Sequence, residues 1–230
     1  MRKRRHPETL ETYYLYLYKD LKDIPKQKNI DFALYFEEFL DRNDYRMLEV
    51  GCAIGNFLAN DPENIIGIDI NKNSLKIARK RCFNVICADA ENGLCFKDES
   101  FDAIYASCVI EHLSNPIYFL KEIRRCLKPN GLLVLMTDDF AEQYRTSYDG
   151  PTYVSPLTKE SLKRCAIEAG FRNFKIERRC VPTGMGLLVR KNIISLKTAI
   201  FFSKILYKVG IYKHKFGRGH ITLIARKGEQ

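Results

Sequence analysis

The chain has 230 residues, 46% of them hydrophobic and 29% charged, which suits one large globular domain and excludes fibrous and disordered classes. Its net charge of +10 is unevenly placed: residues 178–228 hold 12 Lys/Arg and no acid, and residues 2–5 hold four more positives, so the long middle is mildly acidic. A segregated basic block points to phosphate-bearing partners, whether nucleic acid, anionic lipid or an anionic substrate. The 8 cysteines form no C-x-x-C pair, which argues against a zinc ribbon or thioredoxin-type motif, and no metal site is expected. Their apolar neighbours, as in Val85-Ile86-Cys87-Ala88, predict buried, reduced thiols in a cytoplasmic protein. The basic N-terminus runs into no apolar stretch, so no secretory signal is expected.

In chain order, Leu10, Tyr13, Tyr14, Leu17 and Leu21 predict a helix over 7–23, and a second is expected over 30–42. Strands follow at 47–50 and 65–69. Asn73-Ser74 can cap a helix to about 81. The third strand is read at 84–88 and the fourth at 101–106. Ser114 can cap a helix with Pro116 in its first turn. A strand at 132–137, a helix from Thr158 to Gly170, and strands at 174–180 and 221–225 complete the chain. Strands alternating with helices argue an α/β fold, a doubly wound and mostly parallel sheet. With no repeat and no linker, one domain is the economical division: N-terminal helices at 1–43, a core at 44–180, a basic insertion at 181–219, and a last strand and tail at 220–230.

The chemistry-bearing pattern begins where the first strand delivers Glu49-Val50-Gly51-Cys52-Ala53-Ile54-Gly55. A ligand lying against backbone at the end of a strand needs residues with little side chain. The spacing Gly51-x-Ala53-x-Gly55 differs from the dinucleotide fingerprint, because Asn56 stands where that motif needs a small residue. Asp69 ends the second strand and Asp89 the third. An acceptor-only carboxylate at the first suits two ribose hydroxyls, and one at the second suits an adenine amino group. Either acid alone is as well explained by a turn or helix cap; three adjacent strand ends together describe a crevice.

On these residues the stretch 47–138 resembles the class I S-adenosylmethionine (SAM)-dependent methyltransferases, in particular the small type-11 domain group. The matching segments are Leu48-Glu49-Val50-Gly51-Cys52-Ala53-Ile54-Gly55, Gly67-Ile68-Asp69-Ile70, Cys87-Ala88-Asp89-Ala90, Ser100-Phe101-Asp102-Ala103-Ile104, Ile110-Glu111-His112-Leu113 and Leu127-Lys128-Pro129-Asn130-Gly131-Leu132-Leu133. Less specifically, the tail from Phe216 to Lys227 resembles tails of methyltransferases from cell-surface glycan and lipid pathways. The resemblance implies a seven-stranded Rossmann-like methyltransferase fold with an antiparallel last strand and a helical insertion before it. It implies SAM as cofactor, with Gly51, Ala53 and Gly55 along the methionine part and ribose. Glu49 would anchor the amino group or orient the loop, Asp69 would take the ribose, and Ile70 would pack on adenine. Asp89 and Ala90 would hold the adenine edge, and Ser107 would touch the methionine part through its backbone. The sequence departs from the family at Ala53, where the middle glycine is usual, and in a short stretch from Gly55 to Ile65, where the first helix is expected to lose about a turn.

His112, just after the fourth strand, is the candidate general base for an oxygen or nitrogen nucleophile; a substrate contact or a plain helix-start role are the alternatives. The segment 138–156, with Tyr144, Tyr148 and Tyr153, is long enough for a lid over the acceptor, and Asp102 is read as structural. The reading is therefore methyl transfer to a small-molecule or lipid-linked acceptor. RNA is the alternative acceptor, and a non-catalytic SAM-binding protein the alternative class. Residues 190–215 combine a broad apolar face with a stripe of Arg190, Lys197, Lys204 and Lys208, which suits an interfacial helix on an anionic membrane and hence a peripheral location. The same face would equally serve packing on the domain's own sheet or a homodimer.

Overall fold

The computed structural model describes residues 42–144, 152–179 and 219–228, together with residues 32, 35–39, 198, 201 and 202. Seven strands form one sheet: β1 (Met47–Val50), β2 (Ile65–Asp69), β3 (Val85–Cys87), β4 (Phe101–Ser107), β5 (Leu127–Asp138), β6 (Asn173–Arg179) and β7 (His220–Arg226). Their order is β3-β2-β1-β4-β5-β7-β6. The first five are parallel neighbours, while β7 pairs antiparallel with both β5 and β6. Strand order reverses beside β1, and a sheet opens a crevice above the carboxyl ends of its strands at such a point.

Alternation along the strands fills two cores. Leu48, Val50, Ile68, Ile104, Leu133 and Leu135 face α2 (Pro116–Cys126) and α4 (Lys159–Glu168), which flank the short α3 (Phe140–Gln143) in the chain, through Phe119, Leu120, Ile123 and Leu162. Met47, Ile65, Tyr105, Val134 and Met136 face the opposite side, where Phe32, Phe36, Phe57 and Leu75 pack. Phe57 stacks on Tyr105 with ring centroids 4.1 Å apart. Each such fully buried side chain contributes about 1.5–3 kcal/mol of burial free energy.

Several boundaries differ from the sequence expectation, each for a local reason. Helix α1 (Lys72–Lys80) is capped by Asn71, whose side chain accepts from the amides of Asn73 and Ser74. Helix α2 is capped by Asn115, while Ser114 bonds to Glu91 instead. Strand β5 begins at Leu127, earlier than expected, because a register shift opposite Phe101 and Ala103 absorbs the Pro129-Asn130-Gly131 turn. In the first crossover, where a helix about a turn short was expected, the helical element is a 3-10 turn, Leu58–Asn60. Thr158 caps α4 as expected, in a capping box with Ser161. Asp102 is structural, accepting from the Arg46 amide and pairing with Lys128 at 2.8 Å.

The thiols are not uniformly buried. Cys52 and Cys126 are, but Cys82, Cys87 and Cys95 are exposed, Cys87 because β3 is an edge strand. The expected helix over 7–23 lies outside the described residues. Of that over 30–42, Phe32 and Tyr35 are helical and Glu37–Phe39 form a 3-10 turn. Of the basic insertion at 181–219, only Thr198, Phe201, Phe202 and Gly219 are described, the first three as helical. Among the described residues, no helix is long and apolar enough to cross a membrane.

Candidate active site

The turn after β1 is tied to the neighbouring strand, since the amides of Gly51 and Cys52 both bond the carbonyl of Ile68. Gly51 has φ +76°, and a Cβ added there would lie 2.4 Å from Val109 Cγ2. Gly55 has φ +82°. Ala53 occupies the same left-handed region at φ 45°, which costs a residue with a Cβ about 1–2 kcal/mol. What holds it there is Asp69: Oδ2 accepts from the Ala53 amide at 2.8 Å and Oδ1 from the Asn71 amide at 2.7 Å. Burial pushes the Asp69 pKa up, against the opposing effect of these bonds. Asp69 thus closes the turn on itself. A carboxylate has about four acceptor positions, so capacity remains for a ligand hydroxyl.

From the other side, Arg81 pins the turn with Nη1, which donates to the Ile54 carbonyl and the Asn56 side chain, each at 2.9 Å. Sequence reading missed this contact, because it needs the fold to bring the end of α1 under the β1 turn. Below the turn, Glu49 is buried, and its Oε2 has no hydrogen-bond partner. Burial, and then the nearby Asp69 charge, push the Glu49 pKa well above the usual carboxylate range.

Gly51, Asp69, Ile70, Asp89, Ala90 and His112 line one narrow cavity, joined by Val50, Ile68, Ala88, Val109 and Leu113. Glu49, Ala53, Gly55 and Ser107 do not line it; they lie in the strand and turn that shape it. Asp89 also has a local task, capping the 3-10 turn Ala90–Asn92 through the Glu91 amide. A broader concavity at the other edge of the sheet, around Tyr35, Phe174 and Arg226, brings none of these residues together.

His112 is buried in the turn Ile110–His112, at 8% exposure. Its Nδ1 lies 3.0 Å from the Thr152 carbonyl oxygen. A carbonyl only accepts, so Nδ1 carries the proton, and in the neutral form of the ring Nε2 is the basic nitrogen. The ring meets Tyr153 edge to face, with centroids 5.0 Å apart. Tyr153 in turn donates to Asp138 Oδ2 at 2.5 Å. Burial alone would raise the Asp138 pKa, but the His220 imidazole 3.0 Å away, the Tyr153 hydrogen bond and the Gln143 side chain nearby outweigh it and hold the carboxyl at about 2. Glu111 is 1% exposed; Oε2 accepts from Thr137 at 2.9 Å, and Oε1 has no partner. Burial pushes its pKa up to about 7. Of the expected lid, Tyr153 is bound inward and Tyr144 is exposed, while Tyr148 lies outside the described residues.

This donor set fits SAM. Successive strand ends offer acceptors for ribose and adenine, apolar Ile70 and Leu113 flank them, and Glu49 Oε2 stands ready for an N–H donor.

Comparisons with known proteins agree. The family described as a methyltransferase domain matches residues 48–135. An uncharacterised protein of Methanocaldococcus jannaschii is 36% identical over 143 residues, covering 56% of this chain and 66% of that one. The phthiotriol/phenolphthiotriol dimycocerosates methyltransferase 1 of Mycobacterium ulcerans is 29% identical, covering 65% of this chain and 58% of its own. The chain therefore spans two thirds or less of the length of these curated relatives. The crystal structure of a SAM-dependent methyltransferase from Archaeoglobus fulgidus matches with a TM-score of 0.66 and 25% identity, covering 94% of this chain and 99% of that one.

Proposed function

We infer that this chain, a SAM-dependent methyltransferase, methylates an oxygen or nitrogen of a small-molecule or lipid-linked acceptor. When bound, SAM supplies an activated methyl group on a sulfonium. Asp69 receives the ribose hydroxyls and Asp89 the adenine edge, while Gly51 lets the ligand approach the backbone. Glu49 takes the amino group or steadies the turn, and Ser107 offers its backbone to the methionine part. His112 Nε2 takes the proton that an oxygen or nitrogen nucleophile must lose. The observation that supports this role most is the Thr152 contact: it commits Nδ1 as donor, which makes Nε2 the basic nitrogen of a residue that lines the cavity.

The likeness to the dimycocerosates methyltransferase supports a lipid-linked acceptor. The segment 190–215 supports peripheral contact with an anionic membrane, since its sequence sets Lys197, Lys204 and Lys208 beside an apolar face, and Phe201 and Phe202 are exposed. Co-sedimentation with anionic vesicles is expected, weakening with salt and with Gln at the three lysines. Vesicles left unbound at low salt would return the segment to the fold or a second subunit.

The test of the function is transfer of labelled methyl from SAM into fractionated extract of the source organism. Label should enter lipid or small molecules, and His112→Ala should cut the rate about 10²–10⁴-fold with SAM affinity retained. Label in RNA would favour the alternative acceptor, and SAM binding without any transfer would favour a non-catalytic role. An unchanged rate in His112→Ala would remove the base assignment.

A further inference from the structure

Behind His112 runs a connected line of side chains drawn from separate parts of the chain. Tyr153 presents its ring to the imidazole at an interplanar angle of 73°. Its hydroxyl is held by Asp138, and Asp138 Oδ1 lies 3.0 Å from His220 Nδ1. Asp138 and His220 are direct cross-strand partners in the β5–β7 ladder, so the line is anchored in the sheet. The backbone around Tyr153 is fastened to the same turn: the amides of Val154 and Ser155 both bond the Glu111 carbonyl at 2.9 Å, and the Thr152 carbonyl takes His112 Nδ1.

We propose that Tyr153 and Asp138 are positioning residues that fix the His112 ring, through the segment 152–155, in the tautomer protonated at Nδ1. The proposal rests on the reading of His112 as the base. A neutral imidazole has two tautomers, and the hydrogen bond at one nitrogen decides which is populated. Here that bond is to a backbone carbonyl, which no side-chain substitution removes, so its geometry depends on what holds residues 152–155. Backbone bonds from Val154 and Ser155 hold the segment from one side. The phenol of Tyr153 holds it from the other, donating to an ionised carboxylate in a short, charge-assisted hydrogen bond. Asp138 itself is placed by the sheet, as the cross-strand partner of His220, whose Nδ1 lies 3.0 Å from its Oδ1. Freed from Asp138, Tyr153 would release both the edge of the imidazole and the Thr152 carbonyl beside it. The ring would then sample both tautomers and present a proton-bearing Nε2 for part of the time. A base misplaced by about 1 Å is enough to lose roughly 10²-fold in rate.

The test needs no acceptor. The full chain, labelled with ¹⁵N-histidine and saturated with S-adenosylhomocysteine, is observed by long-range ¹H–¹⁵N correlation at pH ~9, above the ordinary imidazole range. The chain has 4 histidines, and His112→Gln identifies the signal of interest by its loss. The expected wild-type signature is a pyrrole-type Nδ1 and a pyridine-type Nε2. In Tyr153→Phe and Asp138→Asn both shifts should move toward tautomer averages, with bound S-adenosylhomocysteine reporting that the fold is intact. Should Asp138→Asn not fold, Tyr153→Phe decides alone, since it removes one oxygen and keeps the ring. A wild-type His112 protonated at Nε2, or variants that keep the wild-type signature, would overturn the proposal. Failure of the wild-type chain to bind S-adenosylhomocysteine strikes the methyltransferase reading instead, so the two failures are distinguishable.

Discussion

Replacing Asp69 by Ala separates two tasks of one carboxylate. In the free protein its oxygens accept from the amides of Ala53 and Asn71 at 2.8 and 2.7 Å. Hydrogen bonds to a charged group contribute about 1.5–3 kcal/mol each, and part of that returns as water reaches the amides of this half-buried turn. A net loss of about 3 kcal/mol of stability follows, which at 2–4 °C per kcal/mol lowers the melting temperature by roughly 6–12 °C. The ribose hydroxyls lose their acceptors as well, which weakens SAM by about 1–3 kcal/mol, or roughly 5–150-fold. Thermal denaturation without ligand reads the first effect. Calorimetric titration with SAM, well below the variant's melting temperature, reads the second. Asp69→Asn keeps one acceptor oxygen and should fall between wild type and Ala on both scales. A variant that melts early but binds SAM with wild-type affinity would show that Asp69 only closes the turn and that the ribose lies elsewhere.

Other expectations follow from the same site. Glu111, an acid whose folded pKa is raised from 4.5 to about 7, destabilises the fold progressively as pH rises between those values and leaves it level above them. Relative to Glu111→Gln, the wild type should therefore lose about 3 kcal/mol between pH ~4.5 and pH ~8 in urea unfolding, and a pH-independent difference would contradict the shift. Ala53→Gly relieves a left-handed residue and should raise the melting temperature by roughly 1–3 °C, whereas Gly51→Ala places a Cβ 2.4 Å from Val109 and should lower it. The opposite order of the two melts would mean that the turn is not held as described.

The sheet is legible because its strands are short apolar runs separated by turns, and the cavity because Gly51, Asp69 and Asp89 fall at or just past three strand ends. Helix caps differ from the expectation by one to three residues, since Asn71, Asn73 and Ser74, or Ser114 and Asn115, are all good cap residues until the backbone chooses. The short segment from 55 to 65 marks a shortened first crossover, but nothing local says that a single 3-10 turn suffices there. The surroundings of His112 were hidden for another reason. The pairing of Asp138 with His220 exists only through the antiparallel register of β5 and β7, and the Thr152 contact joins residues 40 positions apart in the sequence. Tyr153 was visible as one tyrosine among several in a long loop, and its inward bond to Asp138 is a product of tertiary packing.

The most direct measurement is a crystal structure of the chain with S-adenosylhomocysteine. The ribose hydroxyls are expected on Asp69, the adenine edge beside Asp89 and Ala90, and the sulfur on the side of the cavity lined by His112. A ligand seated at the concavity around Tyr35 and Arg226, or a bound ribose with no contact to Asp69, would contradict that placement.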